Sequence, residues 1–344
     1  MIEYKIKGKE TPNTFNMGLL SLRIVFMGTP EFAVASLDAL VKAGYAVVGV
    51  ITAPDKPAGR GMKLHESAVK QYAIQHNLPV LQPEKLKNPA FLDQLKELRA
   101  DLQVVVAFRM LPELVWNMPR LGTINLHGSL LPLYRGAAPI NWALINGEKE
   151  TGVTSFRLQQ EIDTGNILLQ ESFPIGENET AGELHDRMKE IGAKLLVKTV
   201  NGLADGSLSA TPQQIQGYTT NTGENGTNSP NQRPLPHAPK IFTETCRIDF
   251  NKPVSTVHNL VRGLSPFPGA FTQLQDKMLK IYKSSKEPFD QHKNQIPAPG
   301  SLETDGRTFL KFACSDGYLN LLEVQLEGKK KMEITRFLQG YRFE

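Results

Sequence analysis

The stretch Asn125-Leu-His-Gly-Ser-Leu-Leu-Pro-Leu-Tyr-Arg-Gly-Ala-Ala-Pro139 gathers an amide, an imidazole, a hydroxyl and a guanidinium within eleven residues. Its prolines and glycines keep it from being regular structure. Asn125 and His127 stand two residues apart at the end of a strand predicted over 122–126, so their side chains project to one side. An amide beside an imidazole can hold a developing oxyanion. A second polar marker, Glu161-Ile-Asp-Thr-Gly165, adds a carboxylate, Asp163, in a loop closed by glycine. A carboxylate next to an imidazole fixes its tautomer and orientation. No G-x-S-x-G elbow is present, so Ser129 lacks the setting of an attacking hydroxyl. Without a covalent nucleophile, the chemistry open to Asn125, His127 and Asp163 is direct acyl transfer between two bound substrates. A hydrogen-bonded structural cluster is the other reading of the same trio.

The elements that must position these residues follow from periodicity. Strands over 22–27, 45–52, 78–80, 102–108 and 122–126 alternate with helical patterns over 32–43, 66–76, 90–98 and 113–118. The opening β-α-β unit implies a parallel sheet with a right-handed crossover. Strands 102–108 and 122–126 point their carboxyl ends at one rim, where α/β proteins place their chemistry. Strands 151–158 and 167–173 flank the Asp163 loop, and a long amphipathic helix covers 181–200. The first turn reads Gly28-Thr-Pro-Glu-Phe-Ala, which lacks two glycines of G-x-G-x-x-G, and Pro30 removes a donor. Nicotinamide binding is therefore disfavoured, and no phosphate-cradling G-x-x-x-x-G-K-[ST] loop occurs.

Residues 53–64 form a proline-stiffened connection with Lys56, Arg60 and Lys63 and one acid. It reads as a solvated connector or as an arm reaching for phosphates. Residues 213–231 are rich in Gly, Asn, Thr and Gln, a linker composition. Beyond them, short β-type runs over 247–250, 271–274, 279–282, 308–313 and 318–324, with a helix over 254–263, suggest a small barrel of OB type. The expected fold class is α/β: a Rossmann-like, mostly parallel sheet domain followed by an OB-like barrel. The expected boundaries are an extension over 1–21, the α/β domain over 22–206, a flexible linker over 207–236 and the barrel over 237–344. Of 39 basic and 35 acidic residues, 16 and 12 lie from 237 onward, leaving 23 of each before it. The whole excess charge thus sits on the last third, a mild pointer to a polyanionic partner. Two distant cysteines, Cys246 and Cys314, suit a reducing cytoplasmic setting. None of the seven histidines has metal-ligand spacing, and no run is apolar enough to span a membrane.

Several motifs recur together: Gly28-Thr-Pro-Glu-Phe, Pro54-Asp-Lys-Pro-Ala-Gly-Arg-Gly, the stretch from Asn125, Thr151-Gly-Val-Thr, Asp163-Thr-Gly, Val261-Arg-Gly-Leu-Ser-Pro-Phe-Pro-Gly-Ala and Gln325-Leu-Glu-Gly-Lys-Lys-Lys-Met. On these the chain resembles the 10-formyltetrahydrofolate-dependent formyltransferases, and among them the family acting on methionyl-tRNA, from about residue 22 to 340. The resemblance implies that Asn125, His127 and Asp163 are the catalytic trio. They would move a formyl group from N10 of 10-formyltetrahydrofolate to the amine of methionine on initiator tRNA. It implies folate binding by Ser129, Leu130, Leu131 and Pro132, with the backbone of Arg109, Met110 and Leu111 lining the pterin pocket. It promotes Lys56, Arg60 and Lys63 to a tRNA-reading arm and assigns tRNA phosphate contacts to Lys329, Lys330 and Lys331. It implies a cytoplasmic monomer with no metal in the chemistry and no membrane partner. Departures are Phe108-Arg109-Met110 for a commoner Tyr-Gly run, Glu161-Ile162 for Gly-Leu before Asp163, a longer linker around 219–233 and the unmatched extension. Rival readings are a related formyltransferase for a small amine, such as an amino-sugar nucleotide or glycinamide ribonucleotide, and a tRNA-binding protein without catalysis.

Overall fold

The computed structural model describes residues 22–58, 63–214, 218–219, 233–290 and 296–343, so the expected extension over 1–21 and Arg60 lie outside the described residues. The first half runs β1 (Arg23–Gly28), α1 (Glu31–Lys42), β2 (Ala46–Ile51), β3 (Lys56–Ala58), β4 (Lys63–His65), α2 (Ala68–Gln75), β5 (Val80–Leu81), α3 (Pro89–Glu97) and β6 (Leu102–Val106). It continues through α4 (Glu113–Trp116), β7 (Thr123–His127), β8 (Arg135–Gly136), α5 (Pro139–Ile145), β9 (Glu150–Arg157), β10 (Ile167–Pro174) and α6 (Ala181–Ala204). Seven strands form one sheet in the order β10-β9-β7-β6-β1-β2-β5, all running in one direction except β9, which is antiparallel to both its neighbours.

Strands buried on both faces need apolar residues at consecutive positions, not alternate ones. In β1, Ile24 and Phe26 join the core cluster that also holds Leu37 and Leu40 of α1 and Leu184 and Met188 of α6. Val25 and Met27 join the cluster on the other side, with Phe91 and Leu95 of α3 and Val115 of α4. Each fully buried side chain of this size contributes roughly 1.5–3 kcal/mol. The long α6 starts at a capping box: Thr180 accepts from the Glu183 backbone, and the Glu183 carboxylate accepts from the Thr180 backbone.

Two expectations change here. The arm over 53–64 is not open loop throughout, because β3 and β4 pair as an antiparallel hairpin, Lys56 opposite His65 and Ala58 opposite Lys63. The interval 207–236 is also not a free tether at its ends. Thr211 exchanges backbone hydrogen bonds with Ile167 at 2.7 and 2.8 Å. At the far end the short β11 (Tyr218–Thr219) pairs β12 (Arg233–Pro234), and β13 (His237–Ala238) pairs β8.

The second domain comprises α7 (Val254–Gly263), β14 (Ala270–Leu274), β15 (Lys277–Pro288), β16 (Leu302–Thr304), β17 (Leu310–Ala313), β18 (Gly317–Leu326), β19 (Met332–Glu333) and α8 (Ile334–Gly340). The sheet runs β14-β15-β18-β17-β16, with β19 beside β18. Register shifts at Ile281/Lys283 and Lys283/Ser284 bend the long β15. The expected OB-like barrel is thus a curled antiparallel half-barrel, with α7 and α8 packed on its core. The run over 247–250 is not a strand; Arg247 makes a single bridge to Phe271. The two domains meet where Asn141 Nδ2 donates to the Gly263 carbonyl at 2.7 Å. The Arg262 guanidinium adds contacts at 3.2 and 3.3 Å to the carbonyls of Gly176 and Glu179.

His258 of α7 is buried, with Nδ1 3.0 Å from Ser284 Oγ. Burial, helped by the charges of Lys286 and Arg262, pushes its imidazole down from 6.5 to about 4. The folded chain refuses a proton that the unfolded chain accepts between those values, so acid weakens the fold across that window and not above it. Melting temperature followed from pH 7 to 4.5 is expected to fall less steeply for His258→Gln than for the wild type. Parallel slopes would exclude His258 as the source.

Candidate active site

Three loops at the carboxyl ends of β1, β6 and β7 enclose a cavity of about 640 Å³. This is the switch point of the sheet, where the chain passes from one side of β1 to the other, and open α/β sheets place ligands there. Asn125, His127 and Asp163 all line it, as do Arg109, Met110 and Leu111. Apolar walls come from Phe32, Phe108, Phe156 and Leu158.

β7 delivers Asn125 and His127 to one face, as the period of two requires. Asp163 arrives by a less direct path. β9 runs antiparallel to β7, so its carboxyl end lies beside the start of β7, where Leu158 N–H donates to the Thr123 carbonyl at 2.8 Å. The loop after β9 must therefore turn back along the sheet, a climb of roughly 13 Å for the four residues from 123 to 127. Asp163 ends with a positive φ of 54°, a conformation that costs of order 1 kcal/mol for a residue with a side chain.

Five hydrogen bonds, direct and relayed, hold it there. The Gly136 N–H donates to Asp163 Oδ2 at 3.0 Å. Gln213 Nε2 donates to the carbonyls of Asp163 and Gly165, both at 2.8 Å. Arg135 Nε, at 3.1 Å, and its terminal nitrogen in turn donate to Gln213 Oε1. Burial lowers the Arg135 guanidinium from its ordinary range, while the nearby Asp163 and Glu161 act in the opposite sense. Gly136 must be glycine: its φ is +125°, and an added Cβ would lie 2.5 Å from the Ala238 carbonyl oxygen. Arg135 and Gly136 were read only as members of the stretch from Asn125, and Gln213 was not expected at the site. Gln213 sits in a stretch whose composition reads only as linker.

The imidazole of His127 is only 7 % exposed, and its Nε2 lies 2.9 Å from the Tyr134 carbonyl oxygen. A carbonyl can only accept, so Nε2 carries a proton. Nδ1 is then the edge free for chemistry, 3.7 Å from Asp163 Oδ2. That gap exceeds a direct hydrogen bond, so the two groups face each other without being bonded. Asn125 Oδ1 is buried with no hydrogen-bond partner among the described residues. A buried amide oxygen left so costs about 1–3 kcal/mol unless a ligand satisfies it.

Other expected site residues fall elsewhere. Ser129, Leu130, Leu131 and Pro132 do not line the cavity. Ser129 is fully buried and donates to the Leu133 carbonyl at 2.6 Å. Thr154 Oγ1 bonds both the Ser129 carbonyl and the Leu131 N–H, and Gln170 Nε2 donates to the Leu131 carbonyl at 2.9 Å. The polar groups of this segment bond to Thr154, Gln170 and the Leu133 carbonyl, which braces it against β9 and β10. The Arg109 guanidinium turns to the carbonyls of Pro83 and Glu84 and leaves the cavity to the backbone of its loop. Lys56 is exposed on the β3–β4 hairpin, and Lys329, Lys330 and Lys331 are exposed at the β18–β19 turn. Lys331 is tied to Glu323 at 3.0 Å and lies over the Tyr282 ring. Among the described residues no group of three or more His, Cys, Asp or Glu could hold a metal, and no helix is long and apolar enough to cross a membrane.

Comparison with known proteins places nearly the whole chain in one family. Residues 22–200 match the Formyl transferase family, and residues 240–342 match the Formyl transferase, C-terminal domain. The chain is 54% identical over 327 residues to a methionyl-tRNA formyltransferase of Parabacteroides distasonis, covering 93% of this chain and 96% of the relative. It is 52% identical over 325 residues to one of Bacteroides fragilis, covering 93% and 95%. Among solved structures, an N-formyltransferase from Helicobacter canadensis, in complex with folinic acid and dTDP-3-aminofucose, shares the fold with a TM-score of 0.63 at 20% identity, over 90% of this chain and 100% of that one.

Proposed function

Because the chain belongs to the methionyl-tRNA formyltransferases, we propose that Asn125, His127 and Asp163 carry the transfer of a formyl group to methionine on initiator tRNA, with 10-formyltetrahydrofolate as donor. The observation behind this reading is their meeting in one cavity, with His127 Nδ1 3.7 Å from Asp163 Oδ2 and Asn125 Oδ1 lacking a partner. The apolar walls suit a flat pterin, and the loop of Arg109, Met110 and Leu111 offers it backbone edges.

The donor supplies the formyl carbon as the electrophile. Asn125 Oδ1 accepts an N–H of the attacking amine, and the amide nitrogen donates to the oxyanion that forms. Nδ1 of His127 faces the same centre, its ring fixed by Nε2–H on the Tyr134 carbonyl. Asp163, 3.7 Å from Nδ1, takes the proton lost by the amine by way of a water in the cavity and returns one to N10 as the folate leaves. No covalent enzyme intermediate is needed. The reaction serves translation initiation in the cytoplasm, and the enzyme acts as a monomer. Ser129–Pro132, which match the family's folate-binding segment, also brace β7 beside the site.

An assay with charged initiator tRNA and 10-formyltetrahydrofolate tests this. Formylmethionyl-tRNA is the expected product; turnover of an amino-sugar nucleotide instead would overturn it. In the same assay Arg60→Ala is expected to raise KM for the tRNA and leave that for the folate unchanged. Lys330→Ala should flatten the slope of log affinity against log salt by about one. Unchanged tRNA kinetics for Arg60→Ala would return the hairpin to a connector.

A further inference from the structure

The β3–β4 hairpin leaves the first domain between β2 and α2 and has little of its own to hold it. Each strand pairs over 3 residues, and Pro57 brings no N–H to the ladder. A two-stranded hairpin alone is marginal in water. Leu64, which could have packed it down, is 70% exposed. Its feet, in contrast, are closed on one another. Lys70, in the first turn of α2, reaches back with Nζ to Asp55 Oδ2 just before β3 and to Glu66 Oε1, at 2.9 Å, just after β4. The Lys70 side chain is only 14% exposed. Gln82 Nε2 donates to Asp55 Oδ1 and to the Ala53 carbonyl, both at 2.8 Å. Thr52 Oγ1 and Ser67 Oγ meet at 2.7 Å. The bond to Lys70 lowers the Asp55 carboxyl from its ordinary range, and the bond to Asp55 raises the Lys70 ammonium.

We propose that Lys70 is a positioning residue for the tRNA reaction: by pinning both feet of the hairpin it sets the direction in which the arm presents its cations. The proposal rests on the reading of this arm as a tRNA contact. Helix energetics give no reason for a lysine at this place, because the first turn of a helix carries a positive partial charge and disfavours a cation. What offsets that cost is a pair of carboxylates, and both belong to the arm. Lys70 lines no wall of the catalytic cavity, so its route to the reaction runs through the hairpin. An arm already held at one angle loses less freedom when a ligand seats on it, and binding gains by that difference.

Lys70→Met keeps the aliphatic stem and removes both ion pairs. It is expected to raise KM for initiator tRNA by about ten-fold, with kcat at saturating tRNA and KM for the folate unchanged. Lys70→Arg keeps a cation between the two carboxylates and should restore most of the affinity. Asp55→Asn, which removes one foot's charge at constant shape, should shift KM for tRNA in the same direction and serves if Lys70→Met does not fold. In a chain already carrying Arg60→Ala, Lys70→Met should add much less than it does alone, because both act through one arm. Three results would overturn the proposal: an unchanged KM for tRNA, a KM for the folate that rises as much, or full additivity with Arg60→Ala, which would make Lys70 act apart from the arm. Wild-type tRNA kinetics for Arg60→Ala would instead sink the reading of the arm, so the two failures are distinguishable.

Discussion

Asp163→Asn is expected to lower kcat by about two to four orders of magnitude, with the KM for the folate nearly unchanged. The size follows from what the carboxylate alone can do. Asparagine can still accept the Gly136 N–H that Oδ2 takes at 3.0 Å, so the loop should keep its path. The amide oxygen that keeps this bond also takes the place facing Nδ1 of His127, 3.7 Å away, and an amide cannot take up a proton as a carboxylate does. Nε2 already gives its proton to the Tyr134 carbonyl, so the ring keeps its orientation. It would then have no carboxylate beside it to take the amine's proton. A single-turnover measurement separates this from a binding defect: formyl transfer slows while folate binding stays as in the wild type. Activity within about ten-fold of wild type would mean that proton transfer does not run through this carboxylate.

The parts of this site differ in how far they could be read from residues. Asn125 and His127 were legible because a strand's period of two fixes their common side, whatever the rest of the fold does. The parallel core was legible for the same reason: runs such as 24–27 and 102–106 must be buried on both faces. Asp163 was legible as a residue but its route was not. Its approach depends on β9 running antiparallel to β7, which no local pattern encodes. Gln213 was illegible altogether. It lies among Gly, Asn, Thr and Gln, and its role appears only when the chain after α6 returns to pair Thr211 with Ile167. The segment Ser129–Pro132 was legible as a motif match only, and a match by itself does not tell a residue that faces the cavity from one that fixes the strand beside it. The β3–β4 hairpin was hidden by Pro57 and the glycines of its arm, which read locally as loop, and α8 and β19 were too short to show a period.

The fold-back of the Asp163 loop makes its glycine the most sensitive position outside the trio. A Cβ on Gly165 would lie 1.6 Å from the Arg157 carbonyl oxygen and 3.3 Å from the Phe156 ring. The first of these is backbone, fixed by β9 on β7, and no rotamer change relieves it. Arg157 also anchors the loop's return through its N–H to the Asn166 carbonyl at 2.9 Å. Gly165→Ala must therefore lift the loop from the strand and pull the carbonyls of Asp163 and Gly165 off Gln213. The resulting shift of order 1 Å at Asp163 is expected to cost about 10²-fold in kcat, together with a lower melting temperature. Gly340→Ala provides the control, since nothing lies within 4 Å of its added Cβ. That variant should match the wild type in both measurements. If Gly165→Ala instead melts and turns over like Gly340→Ala, the loop has another way to reach His127, and the clamp by Gln213 is not what places the carboxylate.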